Sequence, residues 1–163
     1  MRLVAYQPDI AANLGAMIRI CACMGVPLDV IEPCGFPLGT KTLRRAAMDY
    51  AMKAEILRHD DWTAFRRTQE GRLILLTTRG DVDLPALRLR PGDAIMVGRE
   101  SAGVPGAVAG ACDVRAALPM PGGGRSLNVA VAAGMALYEA MRQGAIASDH
   151  EAVGPLDAPR PLG

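Results

Sequence analysis

Three short segments concentrate glycine with polar side chains at spacings that could serve chemistry. The first is Asn13-Leu-Gly15-x-x-x-Arg19. Asn13 is a good helix N-cap, and Gly15 lets a ligand or chain approach the start of the helix. The second is Gly98-Arg99-Glu100-x-x-Gly103-Val104-Pro105, directly after an apolar run. It lacks the Gly-Lys-Ser/Thr of a phosphate loop and the glycine spacing of a dinucleotide fingerprint, and Glu100 would repel phosphate. Such a loop suits a neutral or cationic ligand. The third is Pro119-Met-Pro121-Gly-Gly-Gly-Arg125-Ser126-Leu127-Asn128, a glycine run that opens a helix presenting Ser126, Asn128 and free backbone amides. Each segment also has a plain structural reading: a cap with a surface arginine, a strand-to-helix turn, and a linker ending in an N-cap serine.

The elements that must position these segments alternate. Arg2–Tyr6, Leu28–Glu32, Ala54–Leu57, Arg72–Thr77, Ala94–Val97 and Val114–Leu118 read as strands, several of them continuous apolar runs expected of strands covered on both faces. Helices are expected from Asn13 to Met24, Thr40 to Tyr50, Asp60 or Asp61 to Glu70, Pro105 to Ala111, and Ser126 to Gln143. This alternation predicts an α/β fold with a mainly parallel sheet and flanking helices. In such sheets ligands bind beyond the carboxyl ends of the strands, where the second segment lies. Residues 1–143 are expected to form one domain, and 144–163, with three prolines, a flexible tail.

Bulk properties narrow the function classes. The chain has 163 residues, half of them hydrophobic, and a formal net charge of +1, so any nucleic-acid surface must be local. One stretch is uneven: Lys41 to Arg72 holds eight Lys/Arg against five Asp/Glu. The four cysteines have neither a disulfide framework nor zinc-ligand spacing, which predicts reduced thiols, a cytoplasmic location and no metal. The longest apolar run, Val129–Tyr138, is half the ~20 residues a spanning helix needs, so no membrane role is expected.

In order and spacing, Asn-x-Gly-x-x-x-Arg, Gly-x-Glu-x-x-Gly-Val-Pro and Arg-Ser-Leu-Asn resemble the SPOUT superfamily of RNA methyltransferases. More narrowly they resemble its TrmL type, which 2'-O-methylates the wobble nucleotide of tRNA anticodons. Pro8-Asp-Ile10, Ile31-Glu-Pro33, Gly35-Phe36, Leu43-Arg-Arg45-Ala46, Asp49-Tyr50, Leu76-Thr-Thr78 and Leu137-Tyr-Glu-Ala140 extend the likeness across residues 1–143. The resemblance implies a C-terminal trefoil knot, a homodimer in which each site lies near the partner's first segment, and S-adenosylmethionine as methyl donor. It places donor contacts on Leu76, Gly98, Leu118 and Ser126, with Asn128 ordering the loop. Glu100 is left two roles, bracing the loop or facing the donor's charge. The implied reaction is in-line displacement at the sulfonium methyl by a ribose 2'-hydroxyl. Arg19 is a poor base because a guanidinium stays charged up to a pKa of ~12 or more. Its expected task is to grip phosphate or ribose, with Asn13 beside it and Tyr138 as a further candidate near the transfer. Lys41, Arg44, Arg45, Arg58 and His59 form the expected tRNA phosphate surface.

Three positions depart from the family pattern: Arg99 where a proline is usual, Ala102 where an arginine is usual, and Val131 in place of a second asparagine. They keep two alternatives open, the same chemistry on another tRNA or rRNA ribose, or an RNA-binding protein without catalysis.

Overall fold

A computed structural model describes residues 1–38, 50 and 53–147. The expected helix over 40–50 and the basic residues Lys41, Arg44 and Arg45 lie outside the described residues, as does most of the expected tail.

Among the described residues, seven strands form one sheet: β1 Arg2–Tyr6, β2 Leu28–Ile31, β3 Ile56–His59, β4 Leu73–Leu76, β5 Val82–Asp83, β6 Ala94–Val97 and β7 Val114–Ala117. Their order is β3-β2-β1-β6-β4-β7-β5, and every strand pair is parallel. The helices are α1 Ala11–Met24, α2 Trp62–Thr68, α3 Gly106–Gly110 and α4 Val129–Arg142.

The apolar runs are continuous because both sheet faces are covered. Leu3, Ala5, Ile74, Leu76, Ile95 and Val97 point into the core under α1 and α4. Their neighbours Val4, Tyr6, Leu73, Leu75, Ala94 and Met96 pack with Phe65 and Val108 of α2 and α3 on the other side. Helix α1 buries Leu14, Met17, Ile18 and Cys21 at helical spacing, and α4 buries Ala130, Ala133, Ala136, Leu137 and Ala140. Small residues let these two helices approach. A Cβ built on Gly134 would sit 3.5 Å from the end of Ile20.

Two expected caps are corrected. Asn13 is not the N-cap of α1, which starts two residues earlier with Ile10 in the cap position and no side-chain bond there. Ser126 does not cap α4. Asn128 does, its side-chain oxygen accepting from the amides of Ala130 at 2.9 Å and Val131 at 3.3 Å. Of the two caps left open for α2, the structure uses Asp61, which accepts from the Ala64 amide at 2.7 Å. The third strand begins later than expected, at Ile56, and β5 had no sequence signal of its own.

Strands β4 and β5 lie on opposite sides of β7 although only residues 77–81 join them. That linker hugs the end of β7: the Thr77 amide donates to Ala116 O at 2.9 Å and the Asp81 amide to Arg115 O at 2.8 Å. Gly80 is the closest point. A Cβ there would lie 2.4 Å from Ala117 N and 2.5 Å from the Ala116 carbonyl carbon. No flexible side chain can yield at such a contact. Gly80→Ala is therefore expected to destabilise by about 1–3 kcal/mol, read as a lowered midpoint in denaturant unfolding. An unchanged midpoint would show that the crossing has slack.

Candidate active site

The carboxyl ends of β4, β6 and β7 and the start of α4 enclose a cavity of about 390 Å³, a size suited to a small ligand or cofactor. Its wall includes Leu76, Gly98, Glu100, Leu118, Ser126 and Asn128, all six of the residues expected at a donor site. Asn13 lines it too, from the first turn of α1. Three segments far apart in sequence thus meet at one place.

Sequence reasoning passed over several lining residues. Ile10, Val97, Met120 and Leu127 supply apolar surface, and Thr77 and Thr78 extend the rim after β4. Most of them lie inside the segments and matches read from the sequence, such as Pro8-Asp-Ile10 and Leu76-Thr-Thr78, but that reading does not say which side chains face inward.

A hydrogen-bond relay ties the three segments together. Because Asn128 Oδ1 accepts from two helix amides, its Nδ2 is left to donate to Asn13 Oδ1, at 2.9 Å. That orients the Asn13 amide, whose Nδ2 donates to Glu100 Oε1 at 2.9 Å. The other Glu100 oxygen accepts from the Asp9 backbone amide at 2.7 Å. Of the two roles left to Glu100, bracing the loop is the one its contacts display.

The 98–103 loop is a tight turn closed by paired backbone bonds, Arg99 N to Gly103 O and Gly103 N to Arg99 O, both 2.9 Å. Gly103 has φ +67°, and a Cβ on Gly98 would meet the Gly103 carbonyl carbon at 2.7 Å. Both glycines are steric requirements of the turn. Arg99 and Glu100 are the charged residues of the wall, and the Arg99 guanidinium is bound to Asp9. With that guanidinium engaged, the wall offers apolar side chains and the neutral polar ones of Asn13, Thr77, Thr78, Ser126 and Asn128 rather than a cationic site for phosphate. Those features fit S-adenosylmethionine, whose adenine needs backbone partners and an apolar cover and whose sulfonium is cationic.

Other expected site residues lie apart from the cavity. Arg19 is not on its wall. It sits farther along α1, with its guanidinium carbon 5.1 Å from the Tyr50 ring centroid. Tyr138 is exposed, 62% accessible, on α4. Arg58 is exposed and donates to Glu32 at 2.6 Å. His59 corrects the expected phosphate surface. Its ring is buried, bonded to Asp29 at 2.7 Å and set edge-on to Phe65 at 5.3 Å between centroids. Strand β3 turns it inward beside the Arg2–Asp29 ion pair.

All four cysteines are free thiols. Burial pushes Cys21 up to about 12 and Cys34 and Cys112 up to about 11, so these three are poor nucleophiles. Among the described residues, no helix is long and apolar enough to cross a membrane.

A Cβ at Gly98 strains the turn that forms part of the cavity wall and so tests the site. Gly98→Ala is expected to weaken S-adenosylmethionine binding about tenfold or more, measured by calorimetry. Unaltered affinity would place the donor elsewhere.

Comparison with known proteins agrees with this geometry. The SpoU rRNA Methylase family matches residues 1–138. A Beijerinckia indica protein named tRNA (cytidine(34)-2'-O)-methyltransferase is 48% identical over 162 residues, covering 97% of this chain and 98% of the relative. An Escherichia coli K12 protein of the same name is 38% identical, with 88% and 93% covered. A structure described as "Structural insights into the 2-OH methylation of C/U34 on tRNA" superposes with TM-score 0.84 at 41% identity, covering 87% of this chain and 94% of the other. The SpoU methyltransferase AviRb from Streptomyces viridochromogenes, solved with AdoMet, superposes with TM-score 0.78 at 25% identity, covering 88% and 60%. On a match that spans residues 1–138 of its 163, this chain belongs to the SpoU methylase family.

Proposed function

We propose that this protein is an S-adenosylmethionine-dependent tRNA methyltransferase that acts on the ribose 2'-hydroxyl of the wobble nucleotide, C or U at position 34. The observation that carries the reading is the convergence of three segments on one cavity through the Asn128–Asn13–Glu100 relay. The names of the Beijerinckia indica and Escherichia coli relatives support the substrate.

When bound, S-adenosylmethionine supplies an electrophilic methyl on a sulfonium. The protein's part is to hold the reactants in line and exclude water, which accounts for much of the rate in such displacements. Backbone groups of the 76–78, 98–103 and 118–120 segments would hold the adenosine, with Leu76, Leu118 and Leu127 covering it. Asn13 serves as a strut, since its amide is engaged at both ends. Arg19 would grip the RNA phosphate or ribose and orient the 2'-hydroxyl.

The same proposal includes a homodimer, the trefoil threading suggested by the crossing at Gly80, and a cytoplasmic location consistent with the free thiols. Val131, Met135 and Tyr138 form an exposed row at helical spacing along α4, with Leu127 and Ile10 exposed near the cavity. A second copy covering this row would bring its own first segment, and so an Arg19, towards the cavity. Leu137, Ala133 and Ala140 fill the opposite, buried side of α4, so the exposed row is free to serve as an interface.

Incubation with labelled donor and unmodified tRNA is expected to place the methyl on the ribose at position 34, located by nuclease mapping. Label only in rRNA or at another tRNA position would change the substrate, and no label in any RNA would reject catalysis. Replacing both Val131 and Met135 with Glu is expected to convert a sedimenting dimer to monomer and to abolish methylation. A monomeric wild-type protein would overturn the dimer.

A further inference from the structure

The chain leaves β1 through Gln7, whose φ of 44° lies in the left-handed region that non-glycine residues rarely adopt. The Gln7 amide donates to Ile31 O at 2.9 Å and its side chain to Glu32 O at 3.3 Å, which holds the turn in place. On its far side Gly35 packs against Asp9. The Gly35 amide donates to Pro8 O at 2.9 Å, and a Cβ there would meet Asp9 Cα at 3.0 Å. Asp9 is thereby pressed towards the 98–103 turn.

There it holds three consecutive residues. Asp9 Oδ1 accepts from Arg99 Nη2 at 2.8 Å and Nε at 3.2 Å. Asp9 Oδ2 accepts from the Ser101 hydroxyl at 2.5 Å and amide at 3.1 Å, and the Asp9 amide donates to Glu100 between them. Asp9 itself does not line the cavity, whereas Arg99 and Glu100 do.

We propose that Asp9 is a positioning residue for methyl-donor binding, which through Arg99 and Ser101 fixes the 98–103 turn in the shape that receives the donor. This rests on the donor site proposed above. Paired backbone bonds close the turn and Glu100 ties it to Asn13, but its tip, Ser101 to Gly103, is exposed, and Asp9 is what holds Arg99 and Ser101 on either side of Glu100. A surface ion pair alone contributes little to stability. Here the same carboxylate also accepts from a hydroxyl and a backbone amide, so its effect falls on the geometry of three residues rather than on one contact. The Arg99 guanidinium and then the Ser101 hydroxyl hold the Asp9 carboxyl down to about 2, so the clamp is charged throughout neutral pH. Because neither Asp9 nor Arg99 belongs to the hydrophobic core, loosening the clamp changes the turn without opening the fold.

The test compares S-adenosylmethionine binding, without RNA, in the wild type, Asp9→Asn, Arg99→Gln and the double variant. Each single change is expected to raise the donor Kd about tenfold. The double variant is expected within about threefold of the weaker single, because both act through one pair. Thermal midpoints should stay close to wild type, and donor KM should rise far more than kcat falls. Arg99→Lys, which keeps the charge, should recover part of the affinity. Should Asp9→Asn not fold, Arg99→Gln and Ser101→Ala carry the comparison from the other side of the clamp. Unchanged affinity in folded single variants would overturn the inference. So would multiplicative losses in the double variant, or equal losses of midpoint, kcat and affinity. No donor binding by the wild type would instead reject the donor-site reading itself.

Discussion

Glu100 accepts from the Asp9 amide with one carboxylate oxygen and from the Asn13 side chain with the other, and so joins the end of β1, the start of α1 and the loop after β6. Asn128 extends the link to the first turn of α4. Glu100 and Asn128 also bind backbone amides, which sets their orientation. Asn128 caps a helix, which aims its amide, and that in turn aims the amide of Asn13. The cavity wall is therefore not a set of independent side chains but one connected unit, and a shift in one segment is felt by the others.

The sheet makes this unit possible. With β6 between β1 and β4, the loops after β4 and β6 emerge side by side, and β7 places the 118–128 segment next to them. The crossing at Gly80 keeps β7 seated between β4 and β5, with backbone packed on backbone at a distance only glycine allows. The local electrostatics follow from the same arrangement. Asp9 pairs with the guanidinium of Arg99, the basic residue among the described lining residues of the cavity. A wall of that character fits the sulfonium-bearing nucleoside proposed above better than a phosphate group.

Much of the fold was legible in the residues. Leu73–Leu76 and Ala94–Val97 read as doubly covered strands because such strands need apolar side chains in every position, and the alternation of strands with helices implied a parallel sheet. Two-residue β5 left no pattern, since it exists only because β7 offers it an edge. Glycines 98 and 103 announced a special turn, while the need for Gly80 was invisible: its obstacle is Ala116–Ala117, more than thirty residues away.

The polar residues show where local reading stops. The residue types suggested caps at Asn13 and Ser126 and a surface histidine at position 59. The fold instead uses Asn128 as the cap, spends Asn13 on a long-range strut, and turns His59 inward to Asp29. Likewise Arg99 marks itself in sequence only as an unusual residue in a glycine turn, and Asp9, ninety residues earlier, as part of a loop. The amino-acid sequence by itself determined which segments become strands and helices and which glycine-bearing loops end them, because those preferences are set by neighbouring residues and by burial pattern. Only the tertiary structure decided which polar side chains serve the cavity and which serve each other. A hydrogen bond needs a partner within about 3 Å, and the side-chain partners of Asn13, His59 and Arg99 all lie far along the chain.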